Sequence, residues 1–284
     1  MKSHIIFFIL FIFITSCEKV VTDELSISKN EPLLVVEGGI EHHAENPIPV
    51  QKIRLTTTTD FLDNTPPPVV ENATVGISSA GNIYELAYEG DGVYATEQIM
   101  PQIGQSYTLN IRWEDKTYSA VDQLNEVPKI DSIYTEFEEE TGITDEGYFV
   151  KINSKDPAGI ANYYYYRVYR NDSLFVLPDP GNSRTIILKD EFFDGQNRVG
   201  VVPNEEVIYE IGDIAKVDQI GISAEYYQYL FEFYRQTGYQ GVSFTGNPPP
   251  ATIRGNVISD SPEDYRALGF FRAIDVKTKW VEVN

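Results

Sequence analysis

The fold is decided by the stretch Tyr107-Thr108-Leu109-Asn110-Ile111-Arg112-Trp113, in which the odd positions are apolar or aromatic and the even positions are polar. Successive side chains of a β-strand point to opposite faces, so this alternation predicts a strand with one buried face. The next residues, Trp113-Glu114-Asp115-Lys116, have the composition of a tight turn, and Thr117–Val121 resumes an extended pattern. The stretch therefore predicts a hairpin within a mainly β fold.

Five further strands are predicted upstream of this hairpin, separated by turn signals such as Ser79-Ala80-Gly81-Asn82 and Glu89-Gly90-Asp91-Gly92. Short strands at this spacing are typical of a β-sandwich, here of the immunoglobulin-like or transthyretin-like type, over residues 32–127. The predicted upstream strands are Leu33–Ile40, ended by its glycine pair, Val50–Thr57, Asn72–Ser78, Ile83–Tyr88 and Val93–Thr96.

Residues 128–284 are predicted to form a second β-rich domain, which begins after Val127-Pro128. The aromatic run Asn162–Arg170 indicates a central strand. Alternating side chains put tyrosines on both faces of this strand, so we expect both faces to be at least partly buried. The other predicted strands are Ile130–Phe137, Tyr148–Ile152, Thr185–Leu188, Val207–Ile211, Val217–Ile222, and a closing pair, Leu268–Val276 and Trp280–Val283, with Lys277-Thr278-Lys279 near the turn.

One aromatic amphipathic helix is predicted near residues 223–237. Ser223 is a good N-cap, and Tyr227, Leu230, Phe231 and Tyr234 recur at helical spacing. We expect the helix to lie across the open face of the second sheet or between the two halves. Because Phe231 lies at the centre of the stripe, its truncation to alanine is expected to cost about 3–5 kcal/mol.

The amino-terminal segment predicts lipid anchoring. Lys2 precedes the apolar run Ile5–Ile14, which is too short for the roughly 20 residues of a membrane span, so residues 1–16 are predicted to be a signal peptide. The run ends in Ile14-Thr15-Ser16-Cys17, which resembles the lipobox of a bacterial lipoprotein. Cys17, the only cysteine of the chain, is the predicted lipidation site, carrying palmitate-type acyl chains, and residues 17–31 are a polar tether.

The charge balance excludes one class of partner. The chain has 22 Lys and Arg against 43 Asp and Glu, a net charge of −21. Nucleic acids require basic patches, so nucleic-acid binding is not expected. Two interpretations of the acidic composition stay open: it keeps the surface well solvated, or it attracts a cationic ligand.

Few residues suggest catalysis or metal chemistry, so we expect no enzyme activity, no cofactor and no metal. His42 and His43 are adjacent, point to opposite faces if extended, and so do not readily share one metal. No Gly-x-Ser-x-Gly motif presents a nucleophile. The loop from Asp190 to Asp194 offers oxygen ligands but departs from the EF-hand order, and calcium binding there stays open beside an ordinary Asp-Gly turn.

The loops after the helix are the predicted contact sites for a ligand or partner. Tyrosine combines apolar area with a hydroxyl group and suits such contacts, although packing in a core is the alternative role for most of the 19 tyrosines. The predicted contact residues are Tyr239, Gln240, Asn247 and Pro249.

Several short motifs together resemble a known family. They follow the lipobox Cys17 in the order Leu34-Val35-Val36-Glu37-Gly38, Glu71-Asn72-Ala73-Thr74-Val75, Gly92-Val93-Tyr94, Gly104–Leu109, Asp156-Pro157, Tyr163–Tyr166, Asp190–Gly195, Tyr226–Tyr229 and Ala267–Phe271. This arrangement is similar to the Bacteroidota outer-membrane lipoproteins catalogued as domain of unknown function 4249. The resemblance implies a partner, a SusC-like TonB-dependent receptor barrel, and carries over no catalytic residue.

The sequence thus predicts a non-catalytic outer-membrane lipoprotein, held by the lipid on Cys17, that assists a TonB-dependent receptor or captures its ligand. The alternative is a structural or adhesive surface module without a transport role. Display at the cell surface is favoured over the periplasmic leaflet, although Glu18 is followed by Lys19-Val20-Val21 rather than by an acidic cluster.

Overall fold

The computed structural model describes residues 31–44, 50–60, 63, 65–141, 145–175, 186–237, 253–260 and 267–284. It is mainly β, as predicted. The strands are β1 (Leu34–His43), β2 (Gln51–Thr57), β3 (Thr74–Ser79), β4 (Asn82–Gly90), β5 (Val93–Thr96), β6 (Ser106–Trp113), β7 (Lys116–Gln123), β8 (Ile130–Glu138), β9 (Gly147–Lys155), β10 (Tyr163–Arg170), β11 (Ser173–Phe175), β12 (Ile187–Lys189), β13 (Asn197–Val201), β14 (Ile214–Gly221), β15 (Ile258–Ser259) and β16 (Leu268–Glu282). In the part of the chain that the structure describes, one α-helix, α1, spans Ala224–Thr237.

A large main sheet joins the two halves of the chain. Its strand order is β11-β10-β14-β16-β1-β2-β5-β4-β3-β6-β7-β15, and β12 pairs with β10. The junction is the parallel pair of β1 and β16, whose register runs from Val35 opposite Leu268 to His43 opposite Val276. Residues 32–284 form one compact unit, so the main sheet continues across the boundary predicted at residue 127.

The amino-terminal part of the main sheet encloses one apolar core. Strand β4 pairs with β5 on one side and with β3 on the other. Strand β3 then pairs with β6, and β6 with β7. The buried residues of this core come from β1 and β2 as well as from β3, β6 and β7, so these parts of the sheet pack on one another. Hydrophobic burial from both sides stabilises this part. The immunoglobulin-like or transthyretin-like topology remains a prediction.

Strand β10 is covered on both faces, as its sequence predicts. Tyr164, Tyr166 and Val168 face a second core, to which the separate small sheet β13-β9-β8 contributes. Tyr163 and Tyr165 face the opposite side and pack against the core beneath α1. The alternation of strand side chains thus assigns each tyrosine to one of two cores.

Helix α1 lies across the main sheet, but its buried stripe differs from the prediction. The backbone N–H of Tyr226 donates to Ser223 Oγ over 3.1 Å, which confirms the predicted N-cap. Tyr226 and Leu230 are buried and pack in the same core as Phe270, whereas Phe231 is 37% exposed. The predicted cost of 3–5 kcal/mol for Phe231→Ala is therefore wrong, because that range applies to a fully buried phenylalanine.

Two strand predictions are also corrected. The predicted closing pair is one continuous strand, β16, and Lys277-Thr278-Lys279 lies within it opposite Val217, Asp218 and Gln219 of β14. Residues 207–211 do not form a strand of the sheets and make only an isolated bridge between Tyr209 and Tyr148. In addition, β1 continues through the pair Gly38-Gly39 to His43 instead of ending there.

Candidate metal centre

The predicted lipidation site Cys17 lies outside the described residues, and so do the predicted contact residues Tyr239, Gln240, Asn247 and Pro249. Their predictions therefore stand untested. Among the described residues, no helix is long and apolar enough to cross a membrane.

The two histidines each contact a different carboxylate. His42 Nδ1 lies 2.6 Å from Asp275 Oδ1, and His43 Nε2 lies 3.3 Å from Glu41 Oε2. Asp275 is fully buried and also accepts a hydrogen bond from the backbone N–H of Val127 over 2.9 Å. The separate partners agree with the expectation that neighbouring strand residues face apart.

Glu41 belongs to a network of ion pairs on the helix-covered face of the main sheet. Arg272 Nη2 lies 2.8 Å and Arg167 Nη1 3.4 Å from Glu41 Oε1, and Arg167 also lies 3.2 Å from Asp218. Burial alone would raise the pKa of Glu41, but the hydrogen bond with His43 and the two guanidinium charges hold that pKa well below its usual range. The network ties β1, β10, β14 and β16 together.

Three aspartates from two distant loops meet at one end of β10. Asp156 directly follows β9, where Pro157 cannot donate to a ladder, and Asp190 begins a single 3-10 turn, Asp190–Phe192, directly after β12. Asp194 and Gly195 close the loop, with φ of +72° at Gly195. A Cβ atom on Gly195 would lie 2.8 Å from the Cβ of Ala158, so glycine allows the two loops to approach.

One carboxylate oxygen from each of Asp156, Asp190 and Asp194 lies within 4.8 Å of the others. Asp156 is fully buried, Asp190 is 7% exposed and Asp194 is exposed. We call this group the aspartate cluster. Three carboxylates at this separation are a ligand set suited to a hard divalent cation.

Backbone amides hold each carboxylate of the aspartate cluster in place. The N–H of Gly195 donates to Asp156 Oδ2 over 3.0 Å, and the N–H of Asn162 donates to Asp190 Oδ2 over 2.7 Å. The N–H of Gly159 donates to Asp194 Oδ1 over 2.7 Å. The cluster is therefore preorganised by main-chain contacts that do not depend on flexible side chains.

A buried layer of aromatic and cationic groups supports Asp156. The Tyr164 hydroxyl donates to Asp156 Oδ1. Burial, and to a smaller extent this hydrogen bond, raise the pKa of Tyr164 well above its usual range. The guanidinium of Arg198 stacks 4.1 Å above the Tyr164 ring. Arg198 donates to neutral oxygens, namely the Tyr166 hydroxyl at 2.8 Å, Ser154 Oγ at 2.6 Å and Gln219 Oε1 at 2.9 Å.

Two further features lie beside the aspartate cluster. The Oδ1 atom of Asn162 is buried without a hydrogen-bond partner, which is a costly state for an amide oxygen. An open pocket of about 600 Å³ is lined by Asp156 and Gly195, together with Lys129 and Lys155.

The sequence pointed to only part of this group. It offered the loop from Asp190 to Asp194 as a source of oxygen ligands, beside an ordinary Asp-Gly turn, and it named Asp156 only as part of the motif Asp156-Pro157. The usable signal was that Asp156-Pro157, Tyr163–Tyr166 and Asp190–Gly195 are all among the motifs on which the family resemblance was based. The fold brings these three motifs together.

The protein is therefore mainly β, and the three carboxylates of the aspartate cluster lie in the loops that follow β9 and β12. Comparison with family models identifies the chain further. It belongs to the family described as "Domain of unknown function (DUF4249)", whose model matches residues 19–280. No curated protein matches the chain significantly.

Proposed function

We propose that this protein is a non-catalytic, lipid-anchored lipoprotein of the outer membrane that assists a SusC-like TonB-dependent receptor or captures its ligand. The proposal combines an anchor, a polar tether and a compact β domain. The domain is held near the membrane by the lipid on Cys17, and its loops make the contacts with ligand or partner.

The observation that carries this proposal is the position of Ile14-Thr15-Ser16-Cys17. It ends a short apolar run, the family match begins two residues later at residue 19, and the compact unit begins at Pro32. Lipidation at Cys17 would leave the matched domain intact and place residues 18–31 between lipid and fold. Two or more acyl chains anchor a protein stably, whereas one chain binds only marginally.

The side chains of the domain support binding without turnover. Both His42 and His43 are engaged by carboxylates, and Asp275 and Glu41 in turn have further partners within the sheet. The oxygens of the aspartate cluster accept hydrogen bonds from backbone amides, which is the arrangement of a binding or structural site.

The anchor is tested by Cys17→Ala. We expect the variant to fold, because Cys17 precedes the compact unit, but to lose metabolic labelling with an alkyne fatty acid and to leave the washed membrane fraction. Ser16→Ala is the matched control, since alanine is accepted at that lipobox position, and it should retain the label. Label that persists on Cys17→Ala would contradict lipidation at this residue.

A further inference from the structure

We propose that the outer edge of β8 binds an extended segment of a partner protein, which adds to the small sheet as an antiparallel strand with apolar side chains on one face and basic side chains on the other. Strand β8 is the last strand of the sheet β13-β9-β8, and within the described residues no strand pairs with its outer side. An edge of this kind presents unpaired backbone groups, on which a strand from another chain can form.

The backbone groups that β8 presents at this edge follow from its register. Phe137 lies opposite Tyr148 of β9, and the Tyr148 carbonyl accepts the backbone N–H of Tyr209 from the far side of β9. Opposite residues of an antiparallel pair alternate between pairs that exchange hydrogen bonds and pairs whose N–H and C=O groups point outward. Phe137 and Tyr148 are therefore an outward-pointing pair. The N–H and C=O groups of Ile133, Thr135 and Phe137 thus point to the outer edge, where the described residues give them no hydrogen-bond partner.

The outer edge of β8 is bounded at one end by β16. Lys279 Nζ donates to the Asp131 carbonyl over 2.7 Å, so Asp131 is already engaged. From Ser132 to Glu138 the register of β8 against β9 has no bulge. The open edge therefore spans Ser132–Glu138, which is the length of an ordinary strand.

One face of β8 is apolar and incompletely covered. Ile133 packs against the second core, as does Tyr148 of β9. Phe137 is 51% exposed, and its ring makes an edge contact with Tyr148 at 5.3 Å between centroids. An apolar side chain of an added strand would cover this open side of the core, and burial of its surface would stabilise the complex.

The opposite face of β8 carries uncompensated negative charge. Glu136 and Glu138 each lie 2.7 Å from Lys151 Nζ, so two carboxylates share one ammonium group, and their side chains remain 58% and 41% exposed. The exposed residues Glu139 and Glu140 follow directly. Basic side chains opposite Glu136 and Glu138 form favourable cross-strand pairs, whereas β8 of a second copy would bring further carboxylates. The charge therefore favours a basic segment of a different protein.

The test is fluorescence anisotropy of a labelled peptide of alternating valine and lysine, titrated with the full-length chain in detergent at physiological salt. We expect saturable binding of one peptide per chain. Thr135→Pro removes an outward N–H but no hydrogen bond between β8 and β9, and it should weaken binding at least about tenfold. Thr135→Val is the matched control, because it keeps both the N–H and the net charge, and it should bind as the wild type does. No receptor is needed, so this outcome is independent of the proposed function.

Hydrogen exchange, followed by mass spectrometry, gives a readout on the wild-type chain itself. We expect the amides of Ile133, Thr135 and Phe137 to exchange rapidly in the free chain and to become protected when the peptide is bound. The proposal is overturned if the peptide does not bind saturably, if protection lies elsewhere, or if folded Thr135→Pro binds as tightly as Thr135→Val. Protection without peptide also overturns it: in a monomer it assigns the edge to another segment of the same chain, and in a dimer to a second copy.

Discussion

Gly269→Ala is expected to destabilise the protein by about 4 kcal/mol or more, enough to unfold a domain of ordinary stability. Gly269 lies in β16 directly opposite Val36 of β1, at the parallel junction that joins the two halves of the main sheet. Its φ is +87°, and an added Cβ would lie 2.0 Å from the carbonyl oxygen of Val36. Relief of this clash would require the backbones of two buried strands to separate.

Gly81→Ala is the matched control for this change. Gly81 has a similar φ of +81°, but an added Cβ there would meet no atom within 4 Å. Only the backbone strain of a left-handed residue remains, which costs on the order of 1 kcal/mol. Urea denaturation of both variants gives the difference. Equal losses at the two positions would contradict the close approach of β1 and β16.

Asp122→Asn is expected to stabilise the protein by about 3 kcal/mol above pH 7, with no gain near pH 4. Asp122 is a buried residue of β7, and its Oδ2 accepts a hydrogen bond from the backbone N–H of Ala273 over 2.7 Å. Burial raises the pKa of Asp122 to about 6, and hydrogen bonds from Ala273 and Ser223 offset only part of that effect. The native state thus prefers the neutral acid, whose shape and acceptor asparagine retains.

The direction of the pH effect follows from that pKa. Because the folded pKa lies above the unfolded value of 3.8, the contribution of Asp122 is fully present below pH 3.8 and is lost as the pH rises through about 6. Melting of the wild type and of Asp122→Asn from pH 4 to pH 8 should therefore diverge with rising pH. Asp115→Asn, an exposed acid in the turn before β7, is the control. A stability difference independent of pH would contradict a neutral buried Asp122.

Local sequence patterns predicted the elements that alternation and turn residues define. Strand β5 has the predicted bounds, β6 begins one residue before the stretch Tyr107–Trp113 that predicted it, and both faces of β10 are covered as predicted. Helix α1 begins at the predicted cap because Ser223 satisfies an amide that the helix leaves free. Each of these features depends on neighbouring residues alone.

Features that depend on distant partners were missed. Lys277-Thr278-Lys279 has the composition of a turn, but pairing with β14 keeps it extended. Gly38-Gly39 has the composition of a strand end, whereas its glycines admit the closely packed carbonyls of Lys52 and Arg272. Phe231 shares the helical stripe with Leu230, and only the position of the sheet beneath α1 decides which of the two is buried.

The aspartate cluster was missed for the same reason. Asp156 and Asp190 are 34 positions apart, and their meeting requires the pairing of β12 with β10 that brings Asp190 opposite Asn162. Composition indicated oxygen ligands in the loop from Asp190 to Asp194 but could not supply the buried partners. By contrast, the prediction of a lipobox at Cys17 depends only on a local pattern, Ile14-Thr15-Ser16-Cys17 after a short apolar run.

The most direct test of the proposed function is purification of the native protein from the membrane fraction of its host in mild detergent, followed by identification of what accompanies it. We predict that an outer-membrane barrel of the TonB-dependent receptor type co-purifies in comparable amount, and that it is lost from Cys17→Ala preparations. Recovery of the protein alone from wild-type membranes would contradict the receptor-accessory role and favour a structural or adhesive surface module.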